Sequence, residues 1–198
     1  MSDHKTAKDD GPTYEPHPKG QFAARCCDVI DLGFKVESFQ QQDAELKDKT
    51  ALVFRTDAPL REDGKLWQIG QEFTHSMGKK SNMRKFLQDW RGEPYTEEEA
   101  KAGVPLDKLE GVPALVTIAH KVSGAGNTYA IIAGIAPLPK KMLADAPGLE
   151  GYTRAEFWQT RKDEYAKAAH AFRARLPTQP ASDPGEPAPD EPDDDLPF

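Results

Sequence analysis

The sequence predicts a mainly β protein: a five-stranded barrel with one helix between its third and fourth strands, an additional C-terminal amphipathic helix and a disordered acidic tail. Three observations support this. Short apolar segments of strand character are separated by Gly, Pro and Asn turn signals, one segment alone has helical periodicity early in the chain, and the last 22 residues contain almost nothing that could enter a core.

In chain order, Phe22 to Leu32 is rich in small and branched apolar residues and stops at Gly33, a bulge or turn position, which makes it the first strand. Thr50 to Thr56 alternates Leu52 and Phe54 with Val53 and Arg55. Leu66 to His75 places Trp67, Ile69 and Phe73 on one face. Pro59 and Asp63-Gly64 break the chain between these two segments, so they are expected to form a hairpin. Met83, Phe86, Leu87 and Trp90 recur at helical spacing after Ser81, and Gly92 and Pro94 end the run. Thr96 to Gly103 offers a further helical turn. Val112 to His120 and Tyr129 to Ile135 flank the turn Ser123 to Asn127 and are read as the last hairpin. Tyr152 to Leu176 places Phe157, Tyr165, Ala169 and Phe172 among charged residues, an amphipathic helix that packs on the barrel or on another subunit.

Three strands, a helix and two strands is the order of the OB fold, whose second and third strands and whose loops between strands one and two and between four and five commonly bind oligonucleotides. The expected boundaries are a disordered N-terminus at 1–12, an OB-fold domain at 13–141, a helical extension at 142–176 and a disordered tail at 177–198.

The net charge of −7 is unevenly distributed. Residues 13–141 carry 18 basic and 18 acidic groups, while 177–198 carry 7 acidic groups and no basic one. The body can therefore hold a local basic groove, and the tail must serve something other than DNA. Cys26 and Cys27 are adjacent and should point to opposite faces of a strand, which disfavours a mutual disulfide and fits a reduced compartment. With no secretory h-region and no apolar run long enough to cross a bilayer, the expected localisation is cytoplasmic, in a bacterial host cell.

The terminal Asp193, Asp194, Asp195, Leu196, Pro197 and Phe198 follow a Pro-rich linker. Their pattern resembles the tip of bacterial single-stranded DNA-binding proteins. A terminal Phe offers a ring to an apolar pocket and a carboxylate to a cation, and the aspartates reach a basic rim. The body is similar to phage-encoded proteins thought to bind single-stranded DNA, in DVIDLG (28–33), KKSNMRKFLQDWRGEPYTEEE (79–99) and YAIIAGIAPLPK (129–140). The resemblance implies a non-enzymatic protein that coats and protects single-stranded DNA in replication, recombination or repair and recruits partner enzymes through its tip. The alternatives are an OB-fold adaptor that binds protein and docks on the host replisome, and a mediator of strand annealing.

Bases stack on aromatic rings while cations follow phosphates, so interleaved aromatic and basic residues mark the expected surface. On and beside the second and third strands these are Arg55, Lys65, Trp67, Phe73 and His75, followed by Lys79, Lys80, Arg84 and Lys85. Core packing is the competing role of Trp67 and Phe73, because Ile69 shares their face. The expected first loop, Gly33 to Lys49, contributes Phe34, Lys35, Phe39, Lys47 and Lys49, and the last hairpin contributes Lys121 and Tyr129. No catalytic set, metal or cofactor is expected. Gly78 to Ser81 lacks the upstream glycine of a phosphate loop, and the five histidines stand without ligands at metal spacing.

Overall fold

Five strands, β1 (Gly20–Glu37), β2 (Glu45–Thr56), β3 (Gln68–Thr74), β4 (Pro113–Val122) and β5 (Thr128–Ala136), pair antiparallel in the order β3-β2-β1-β4-β5. The structure, a computed structural model, describes residues 15–38 and 43–175. Helices α1 (Asn82–Arg91) and α2 (Glu97–Ala102) lie between β3 and β4, and α3 (Glu156–Arg173) follows β5. No helix among the described residues is long and apolar enough to cross a membrane.

The long central strand β1 pairs with β2 over most of its length and with β4 through Gly20 to Arg25. Register shifts at Cys26/Asp28 and Asp31/Gly33 interrupt its ladder with β2, and Gly33 takes φ 72°, the left-handed conformation that a bulge commonly assigns to glycine. The chain expected to be a loop from Gly33 to Lys49 is thus mostly strand. The register continues through Phe34↔Asp48 and Lys35↔Lys47 to Glu37↔Glu45, because β-branched and long side chains can pair across an extended hairpin as readily as they can line a loop.

One core lies inside the curve of the sheet. Cys26, Leu52, Phe54, Ile69, Phe73, Val116, Ile118, Ile132 and Ile135 meet Met83, Phe86, Leu87 and Trp90 from α1. Helix α1 touches both β3 and β5, the two edges of the sheet, which also lie against one another. No hydrogen-bonded ladder joins those edges among the described residues. Ser81 caps α1 by accepting from the backbone N–H groups of Met83 and Arg84, and Gly92, at φ 83°, ends it with its N–H on the Gln88 carbonyl. Thr96 and Glu99 form a reciprocal capping box on α2.

A second core lies on the opposite face, where Cys27, Ile30, Leu32, Ala51 and Val53 are covered by Trp158 and Tyr165 of α3 and by Tyr152. The two cysteines accordingly serve different cores, and both are free. Burial pushes each thiol up to about 12, so neither is a nucleophile near neutral pH. Thr50 to Thr56, whose alternation puts Arg55 on the expected binding surface, has no solvated side. All seven residues are buried instead, because α3 covers the face that Val53 and Arg55 occupy.

Two buried charged groups hold down the segment that leads into α3. Arg55 donates to the carbonyls of Gly148, Glu150 and Gly151 at 2.8–3.1 Å. Asp28, 5% exposed, accepts two hydrogen bonds from Arg154 at 2.6 and 2.7 Å and one from the Tyr152 hydroxyl at 2.8 Å. Burial alone would raise the Asp28 carboxyl. The hydrogen bonds and charge of Arg154, with Tyr152, outweigh it and hold the pKa below the ordinary 3.8.

The Asp28 contribution to stability is therefore complete above its unfolded pKa and is lost as pH falls through the lower folded value. Urea melts across the acid range should show a decline below pH ~4 that is shallower in Asp28→Asn, which starts less stable by about 1–2 kcal/mol because its charge-assisted hydrogen bonds with Arg154 and Tyr152 weaken while the half-exposed guanidinium stays hydrated. Gly70 lies beneath Trp158, and a Cβ there would stand 2.3 Å from the indole Cζ2. Gly70→Ala should lower unfolding free energy by about 1–3 kcal/mol, read as a lower urea midpoint.

Candidate nucleic-acid interface

The residues expected to meet single-stranded DNA fall into three groups. The first is buried and engaged. Trp67 is 4% exposed and donates its indole N–H to the Pro59 carbonyl at 2.8 Å, and Phe73, 3% exposed, packs on Phe86 with ring centroids 4.8 Å apart. Arg55 holds the carbonyls described above. Lys49 is buried with its ammonium 3.0 Å from Glu37 and 2.9 Å from the Thr74 hydroxyl. Arg84 is buried too, and donates to Gln88, to the Met77 and Tyr95 carbonyls and to Glu97. All five of these candidates are buried and engaged inside the protein. A ring packed in the interior, or a cation held there by carbonyls and carboxylates, cannot reach a base or phosphate without unfolding its surroundings; Arg55 is held through Nη1 and Nη2, and its Nε has no partner among the described residues.

The second group is exposed but paired with acids. Lys35 stands 3.0 Å from Glu37 and 3.9 Å from Glu72, over the Tyr165 ring. Partial burial opposes its charge, and the hydrogen bond that its ammonium donates to Glu37, with Tyr165 and the Glu72 carboxylate nearby, reverses that effect and raises its pKa. Lys47 pairs with Glu45 on its own strand, Lys65 lies 3.5 Å from Asp63, and Lys79 lies 3.7 Å from Glu97. Such pairs are weak in water and exchange readily for a phosphate.

The third group is exposed without an acidic partner among the described residues: Lys80 beside the start of α1, and Lys121. His75 is exposed, with Nδ1 2.9 Å from the Thr50 hydroxyl. Phe39 and the tip Asp193 to Phe198 lie outside the described residues.

Among the described residues three Phe or Tyr rings are exposed, Phe34 at 42%, Tyr129 at 39% and Phe157 at 54%, and each stands beside a cation. Arg173 of α3 lies over Phe34 at 5.1 Å, and Arg161 lies over Phe157 at 4.8 Å. Lys121 is directly opposite Tyr129 on the β4–β5 hairpin, which puts the two side chains on the same face. Sequence reasoning found Phe34, Lys121 and Tyr129 but missed Phe157, Arg161 and Arg173. The i, i+4 spacing of Phe157, Arg161 and Tyr165 was the available signal, and it was absorbed into the expectation of a core-packing helix.

Phe34 also walls an open cleft of about 380 Å³ between the β1–β2 hairpin and the turn at Leu106, with Asp48, Thr50 and His75 on its polar side. A more polar depression of about 500 Å³ lies between β3 and the start of α1, lined by Thr74, Ser76, Lys80 and Asn82 among others. No cluster of three potential metal-ligating side chains occurs among the described residues. No protein family, curated protein or solved structure matches the chain.

The division into engaged and free cations has a measurable consequence. Arg84→Ala should cost about 2–3 kcal/mol of unfolding free energy through lost charged hydrogen bonds. Lys80→Glu should stay within about 0.5 kcal/mol of the parent in the same denaturant titration.

Proposed function

We propose that this protein binds single-stranded DNA, largely independently of sequence, and recruits replication, recombination or repair proteins through Asp193 to Phe198. The observation that carries the reading is that each exposed Phe or Tyr ring among the described residues has a cation beside it, at Phe34/Arg173, Tyr129/Lys121 and Phe157/Arg161. A ring offers a stacking platform to a base of any identity, and a cation next to it meets the phosphate that follows.

The fold-level argument is an analogy and ranks second. The order β3-β2-β1-β4-β5, with β3 near β5 and α1 in contact with both, supports the reading by its likeness to the connectivity of an OB barrel. Phe34 and the Lys121/Tyr129 pair lie on its first and last hairpins, the positions where that fold commonly holds oligonucleotides. The outer surface of β1 to β3 is covered by α3, which moves the proposed path from that face to the hairpins and the exposed side of α3. The same covering favours a second reading, an adaptor whose body binds protein, and DNA titration separates the two.

Fluorescence titration with oligo(dT) at two salt concentrations tests the proposal. Binding should weaken with salt, Phe34→Ala and Tyr129→Ala should each lower affinity by roughly 5- to 100-fold, and Lys121→Glu should flatten the salt slope by about one unit. Absence of salt-dependent binding overturns it in favour of the adaptor. Removing residues 191–198 should leave the urea midpoint unchanged and abolish capture of replication and recombination proteins; retained capture overturns the recruitment part.

A further inference from the structure

The cleft beside Phe34 has a chemistry that cation–aromatic pairing does not explain. Its floor is apolar, from Val29 and Leu106, one wall is the half-exposed Phe34 ring, and Asp48, Thr50 and His75 form its polar edge. Phe34 and Asp48 are direct cross-strand partners, so both side chains leave the hairpin on one face with Cβ atoms about 5 Å apart. The edge is held in place. The His75 backbone N–H donates to the Asp48 carbonyl at 2.8 Å, and its ring is tied to Thr50. Asp31, at the far side, spends one carboxylate oxygen on the Gly33 N–H at 2.8 Å. The Asp48 carboxylate has no hydrogen-bond or ion-pair partner among the described residues and remains available as an acceptor.

The volume falls within the roughly 300–1,000 Å³ of small-molecule sites and accommodates one flat heterocycle. Two carboxylates exclude a phosphate. The acids and His75 do not come together as a metal-binding group. An aromatic wall, an apolar floor and a carboxylate edge together fit a ring that carries hydrogen-bond donors on its rim.

Resting on the strand-binding reading above, we infer that this cleft takes one base of the bound strand against Phe34, and that Asp48 accepts from the exocyclic amino group of that base. The position then favours amino-bearing bases over thymine or uracil, whose 4-keto oxygen would face the carboxylate acceptor to acceptor. A backbone path that is indifferent to sequence acquires one selective step.

Oligo(dC) and oligo(dU) of equal length differ at this edge in the 4-amino against the 4-keto group and at N3, a bare acceptor in cytosine and an N–H donor in uracil. Titrated into the full chain at mildly alkaline pH, oligo(dC) should bind at least about fivefold more tightly. Asp48→Asn, whose amide donates to a 4-keto group, should bring the ratio to unity or invert it while the thermal melt stays intact. Asp48→Ser serves the same comparison if the Asn variant fails to fold. Equal affinities in the parent overturn the base pocket and leave strand binding standing. A preference that survives both variants overturns the role of Asp48, and binding to neither polymer overturns both readings.

Discussion

The architecture depends on the burial of the β1–β2 pair on both faces. A two-stranded ribbon is marginal in water, and a sheet needs its apolar face covered before its hydrogen bonds contribute to stability. Here the inner residues Cys26, Leu52 and Phe54 are covered by α1, and the outer residues Cys27, Ile30, Ala51 and Val53 are covered by α3. The bulge at Cys26/Asp28 makes this double use possible, because it shifts the pleat between one half of β1 and the other and brings Asp28 to the side where Arg154 and Tyr152 wait. Loss of either helix would expose a face with no polar alternation to fall back on.

That constraint also decides which cations are free. A strand covered on both faces has no solvated side from which an Arg or Lys could reach a ligand, so Arg55 and Lys49 became fixtures of the fold. Each found backbone carbonyls or a carboxylate within hydrogen-bond distance, the condition under which a buried cation is tolerated. The charges left for a partner lie on the hairpins, at the start of α1 and along α3, where long side chains lie over rings and keep their head groups in water. The exposed aromatics are single rings beside cations rather than a continuous apolar patch, which suits a flat ligand joined to a charged backbone better than a broad protein interface.

The position of α3 separates this molecule from a bare five-stranded sheet. Trp158 rests on Gly70, a close approach that only a glycine permits, and the Tyr165 hydroxyl bonds to Glu72 at 2.8 Å. The helix is part of the packing: Tyr152, Trp158 and Tyr165 share one core with Cys27, Ile30, Leu32, Ala51 and Val53.

The element order, the α1 helix with its Ser81 and Gly92 caps, the two hairpin turns and the split of Cys26 from Cys27 were legible in the sequence, because each rests on local periodicity, turn chemistry or the two-residue repeat of a strand. Phe34, Lys121 and Tyr129 were legible as exposed candidates on the same grounds. What only the tertiary structure decided was the fate of residues whose local pattern fits two environments. Alternation marks one buried face and cannot say that a helix a hundred residues later covers the other, so Arg55, Lys49 and Arg84 read as surface cations until α3, Glu37 and Glu97 were seen beside them. The Asp28–Arg154 pair, the Arg173–Phe34 stack and the cleft joining Phe34 to His75 are contacts between residues far apart in the chain, and long-range pairing leaves no mark on local spacing.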